Sequence, residues 1–120
     1  MTKSELEDRI VHFAARCLNV CGALPAKKVG STSIADQLFR SSTSVAANYA
    51  EATEAESRKD FVHKLKIAMK ELSESRIWLR IILDAEYIPK ERLSKIIAES
   101  EELARILSAS IITARRKKAE

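Results

Sequence analysis

Between Phe61 and Leu83 the chain repeats apolar or small residues in alternating steps of four and three: Phe61, Leu65, Ala68, Leu72, Ser75, Leu79 and Ile82. At about 100° per residue these positions stack on one face of an α-helix, and Val62, Met69 and Leu83 widen that face. A helix with so broad a stripe holds its shape only when other helices cover it, packed at a shallow angle. This one segment therefore commits the chain to a helical bundle. Composition agrees: in 120 residues there are only two Gly and two Pro, with 46% hydrophobic and 32% charged residues, which fits neither a turn-rich β design nor disorder. The length suits one domain with one core.

Three more segments carry the same periodicity. Leu6, Ile10, Phe13, Cys17 and Cys21 define a first helix over 4–22, where Ser4 and Glu7 have capping-box spacing and Gly22 is placed as a left-handed terminator ahead of Leu24-Pro25. Ala26 to Thr32 then reads as a loop. A second helix over 33–54 starts at Ser33 and Asp36 and runs along Ile34, Leu38, Val45, Tyr49 and Ala52. Around this stripe lie Ser41, Ser42, Ser44, Ala46, Ala47 and Ala50, mediocre or small helix residues that let a neighbouring backbone come close. Thr53 to Glu56 fits either more helix or a turn. Ser57 with Asp60 forms another capping box, worth roughly 1 kcal/mol, at the head of the third helix, 57–86. After Tyr87-Ile88-Pro89, the residues Leu93, Ile96, Ile97, Ser100, Leu103, Ile106, Leu107 and Ile111 build a fourth helix over 89–116. Four helices with short connections give an all-α, antiparallel up-down four-helix bundle spanning 1–120 as a single domain.

Several function classes are disfavoured. The longest uncharged runs, such as Cys17 to Ala26, fall well short of the roughly 20 residues a bilayer span needs. The start MTKSELEDR has no apolar signal core, so a cytoplasmic location with Cys17 and Cys21 reduced is expected. Cys17 and Cys21 share a helix face, but neither His12 nor His63 completes a metal-ligand spacing, so buried thiols are expected and no metal. His12 and His63 stand apart from any nucleophile pattern and read as surface or packing histidines. No enzymatic activity and no cofactor are expected.

Three residue groups remain. Arg40, Asn48 and Glu51 intrude on a packing helix, and an unpaired buried polar group costs about 1–3 kcal/mol, so they are expected in a polar network that fixes helix register, with a ligand site as the alternative. Ile67, Trp78 and Ile81 lie on a second face of the third helix; left uncovered, they predict a subunit interface, unless the fourth helix or a loop covers them. Arg58, Lys59, Arg115, Arg116, Lys117 and Lys118 are the candidate nucleic-acid contacts in a chain of formal net charge +4. Cations ending a helix also complement its dipole, so a solvated face is the plain alternative. Four phosphate contacts from one tail would give a duplex-DNA salt slope of only about −3.6, a weak and sequence-blind attraction. Assembly would multiply it through avidity.

The stretch QLFRSSTSVAANYAEATEAESRKDFVHKLKIAMKEL resembles the hallmark of the four-helix bundle proteins encoded in the intervening sequences of bacterial 23S ribosomal RNA genes. That pattern is approximately Q-L-R-R-A-x-x-S-I-x-x-N-I-A-E-G, then S-x-x-E-F and a helix with L-x-x-A. Gln37, Leu38, Arg40, Ser44, Val45, Asn48, Tyr49, Ala50 and Glu51 match in order, as do Ser57, Asp60, Phe61, Leu65 and Ala68, with Leu24-Pro25 and Tyr87-Ile88 at the flanking boundaries. The family often has a proline near Ala46 and glycines near Ala52 and Lys70; without them these helices should be straighter and the second one longer. The resemblance implies an all-α bundle that assembles into a ring, typically a homopentamer, without established enzymatic activity. The accessory proteins of diversity-generating retroelements look similar in architecture and work with a reverse transcriptase and nucleic acid, an analogy of fold alone. Two readings follow. One is a homo-oligomeric, non-enzymatic bundle offering a basic surface to RNA, DNA or a nucleic-acid enzyme; the other is a protein-only interaction scaffold.

Overall fold

The computed structural model describes the backbone of residues 1–119 and the side chains of residues 1–117. Four helices follow in order: α1 (Lys3–Ala23), α2 (Ser31–Thr53), α3 (Arg58–Asp84) and α4 (Lys90–Ala119). Each packs on its sequence neighbour, and α1 closes the square against α4. The α2–α3 seam is the broadest and the α1–α4 seam the slimmest. The result is an all-α, antiparallel bundle with extents of 54 × 22 × 20 Å.

The core is the set of stripes that periodicity picks out. Ile10, Phe13, Cys17, Leu38, Val45, Leu65, Ala68, Leu79, Ile82, Leu93, Leu103 and Leu107 have no exposed surface. Burying each large side chain of this set is worth roughly 1.5–3 kcal/mol. Small residues set the α2–α3 spacing. Ser75 Oγ donates to Ser41 Oγ at 2.8 Å across the seam, and Ser41 Oγ in turn faces the Leu38 carbonyl at 3.4 Å, so the two buried hydroxyls satisfy one another. Other α2 side chains bond back to their own helix: Thr43 to the Phe39 carbonyl, Asn48 to Ser44 and Thr53 to Ala50.

Boundary signals divide into those that hold and those that move. Ser57 caps α3 as expected, its Oγ accepting from the Asp60 amide at 3.0 Å. At α1 the cap is Thr2 instead of Ser4, with Thr2 Oγ1 accepting from the Glu5 amide at 3.1 Å. Gly30, in the left-handed region at φ 79°, opens α2 without a side-chain cap, so the helix starts ahead of Ser33. Gly22 is helical and does not end α1; Leu24 does, held extended by the following Pro25. The loss of a family glycine near Ala52 does not lengthen α2, which stops at Thr53, and residues 54–57 form the turn. The C-terminus of α3 is a Schellman motif: the Glu86 amide donates to the Leu83 carbonyl and the Tyr87 amide to Ile82. Glu86 accordingly takes φ 60° where glycine is the usual occupant.

The two ends of the bundle differ. The α1–α2 loop and the α3–α4 turn share one end and are tied together, Tyr87 donating to the Val29 carbonyl at 2.7 Å. The other end carries the α2–α3 turn, the start of α1 and the end of α4, with Tyr49 donating to the Lys3 carbonyl at 3.4 Å.

Candidate nucleic-acid interface

This second end carries a groove of about 750 Å³ between α4 and the α2–α3 turn. One wall is α4, from Ile106 through Ala109, Ser110, Thr113 and Ala114 to Lys117; the other is the α2–α3 turn with Arg58 and Phe61. Ala52 and Thr53 form part of the floor, and Met1 and Lys3 enter from the start of the chain. The Lys3 ammonium sits 5.4 Å from the centre of the Phe61 ring, a cation–π contact that fixes the start of α1 over the groove.

Arg58 and Lys117 therefore line one groove although nearly the whole of α3 and α4 separates them in sequence. Lys59, Arg115 and Arg116 are exposed at the same end. The side chain of Lys118 lies outside the described residues. Among the described residues none of Lys3, Arg58, Lys59, Arg115, Arg116 or Lys117 forms an ion pair. Glu56 is the one acidic residue among those lining the groove. Arg58 and Lys59 stand in the first turn of α3, where the dipole adds partial positive charge to their own. Arg115 to Lys117 also complement the C-terminus of α4, so the two ends present cations for different reasons.

The three polar residues of α2 do not form one buried network. Arg40 is half exposed and reaches across the seam to Glu71 at 3.0 Å and to Glu74, Asn48 bonds only its own helix, and Glu51 pairs with Lys64 at 3.4 Å. Arg40 and Glu51 make separate rungs across the outer edge of the α2–α3 seam and Asn48 makes none, because their positions flank the Leu38–Val45 stripe instead of interrupting it. Glu74 also accepts from Trp78 Nε1 at 3.1 Å, and Trp78 and Arg40 together hold its carboxyl below the usual range.

The expected interface row splits. Ile67 is half-buried and Trp78 leans against the core, whereas Ile81 is 40% exposed. Ile77, 49% exposed, joins Ile81 on the outward face, and Val11, Leu18, Phe39 and Ile112 are exposed elsewhere. The signal for Ile77 was present: two residues from Leu79, it points about 200° away from the core position.

His12 and His63 are exposed. Among the described residues no group of three His, Cys, Asp or Glu is arranged to hold a metal ion, and no helix is long and apolar enough to cross a membrane. Burial pushes the Cys17 thiol up to about 12, and Cys21, half-buried, faces the Ala35 carbonyl at 3.3 Å.

A family model described as 23S rRNA-intervening sequence protein matches residues 3–109. Among solved structures, the chain is similar to a crystal structure of a protein with unknown function from the S23 ribosomal protein family of Bacteroides thetaiotaomicron. The two share 35% identity with a TM-score of 0.84, over 92% of this chain and 98% of that one. None of the curated proteins matches.

Proposed function

This chain belongs to the 23S rRNA-intervening sequence protein family, and from that membership we propose a non-enzymatic, homo-oligomeric bundle, assembled as a pentamer in the cytoplasm, that offers its cation-rimmed end to nucleic acid or to an enzyme working on it. The observation that carries the reading is the convergence of Lys3, Arg58 and Lys117 on one groove, beside the exposed Lys59, Arg115 and Arg116. One protomer supplies only a few phosphate contacts. Repetition around a ring turns a weak attraction into a useful one by raising the effective concentration of each further contact.

The expected partner is an RNA or DNA backbone bound without sequence preference, since phosphate contacts position a nucleic acid but do not read it. The apolar part of the walls, with Phe61 and Ile106, is the feature that favours the second reading, a protein partner alone. The two separate by salt. Light scattering at two salt concentrations, with and without a generic single-stranded RNA, should show an oligomer that binds RNA and releases it as salt rises. Replacing Arg58 and Lys117 by Ala should flatten the slope of log affinity against log salt by about 1.4 for each protomer that contacts the RNA. An unchanged slope in that variant, or salt-insensitive binding, would move the function to the protein scaffold.

A further inference from the structure

The outward faces of α2 and α3 carry two unpartnered features of opposite shape. On α2, Phe39 stands 51% exposed, and Asp36, one turn before it, is also exposed. On α3, Ile77, Arg80, Ile81, Asp84 and Ala85 line a hollow of about 460 Å³. Among the described residues, Asp36 and Arg80 form no ion pair within the chain. One feature is an aromatic knob with a carboxylate beside it; the other is an aliphatic hollow lined also by the Arg80 guanidinium and the Asp84 carboxylate, which form no ion pair with one another.

Their heights along the bundle agree. The contact of Ser41 with Ser75 sets the antiparallel register of α2 and α3. Stepping two residues back on α2 and two forward on α3 brings Phe39 level with Ile77. Three further steps bring Asp36 level with Arg80. Copies related by rotation about an axis parallel to the bundle keep these heights, so the knob of one copy and the hollow of the next meet with no sliding. Arg40, adjacent to Phe39, is already engaged by Glu71 and Glu74 of its own chain and brings no free charge to the contact.

We propose that Phe39 of one copy seats in the Ile77–Ile81 hollow of the next, with Asp36 of the first copy paired to Arg80 of the second. The occupant is a second copy of this chain, chosen by matching charge, shape and height. Because the two patches are different surfaces, the contact is head-to-tail and generates a closed ring when the rotation closes. The inference rests on the homo-oligomeric reading and names the faces that build the ring.

Charge reversal tests it on the full chain, read by light-scattering mass with helicity as the folding control. Asp36→Arg and Arg80→Asp should each weaken assembly at least about tenfold, and the double reversal should restore it, the signature of a pair that couples. Phe39→Asp, at an exposed position, should dissociate the ring while leaving helicity intact. If the unmodified chain assembles and none of these variants changes its mass, the contact is overturned and the oligomeric reading stands. If the single reversals dissociate the ring but the double does not restore it, the pairing of Asp36 with Arg80 is overturned. An unmodified chain that remains monomeric overturns both.

Discussion

Cys17 shows how far a single residue can be read. Its place in the α1 stripe marks it as a buried thiol in the sequence, and the structure leaves it with no exposed surface. Burial raises its pKa from 9.0 to about 12, the neighbouring Ser42 hydroxyl pulling back only part of the way. The folded state therefore keeps the proton that the unfolded chain releases. The stability this supplies is complete below pH 9 and is lost as pH rises from 9 toward about 12. Urea denaturation at pH 8 and pH 11 should show a larger loss for the natural chain than for Cys17→Ala; equal losses would place the thiol in a wetter site than this. Arg40 was less legible. A cation two residues after Leu38 and five before Val45 can lie in the seam or on its edge, and only the positions of Glu71 and Glu74 on α3 decide for the edge.

At the scale of elements, the α2–α3 seam is built on what its side chains lack. Ser41 and Ser75 are both fully buried, and their hydroxyls meet across the broadest seam in the bundle. Ser75→Leu would force a branched side chain into this space, and a loss of about 1–3 kcal/mol is expected in denaturant unfolding. Ser75→Ala, which removes one hydroxyl and leaves Ser41 its backbone partner, should cost about 1 kcal/mol. Similar costs for the two would argue that polarity, not volume, governs the seam. Helix existence and type followed from periodicity, but end points did not. Thr2–Glu5 and Ser4–Glu7 both have capping-box spacing; the choice falls on Thr2, which lets α1 begin at Lys3, whose carbonyl accepts from the Tyr49 hydroxyl.

For the whole molecule, the contrast between ends is the main consequence of the fold. One end is tied by the Tyr87 bond to Val29, across 58 positions of sequence. Tyr87→Phe should cost about 1 kcal/mol. It should also speed hydrogen exchange of the Ser31 amide, which the loop holds on the Lys28 carbonyl. Unaltered exchange there would show that the loop is ordered by its own turns. The other end carries the groove between α4 and the α2–α3 turn, which brings Lys3, Arg58 and Lys117 together.

The sequence by itself determined the four helices, their up-down order and the residues of the core, because a period of 3.6 is a local property that each stripe declares without reference to its neighbours. It also marked the cations at both ends of the α3–α4 hairpin. Which of them share a groove, which half of the Ile67, Trp78 and Ile81 row faces solvent, and which serine meets which were decided only in the tertiary structure. Those outcomes depend on the relative rotation, height and spacing of helices, set jointly by side chains that are far apart in the chain.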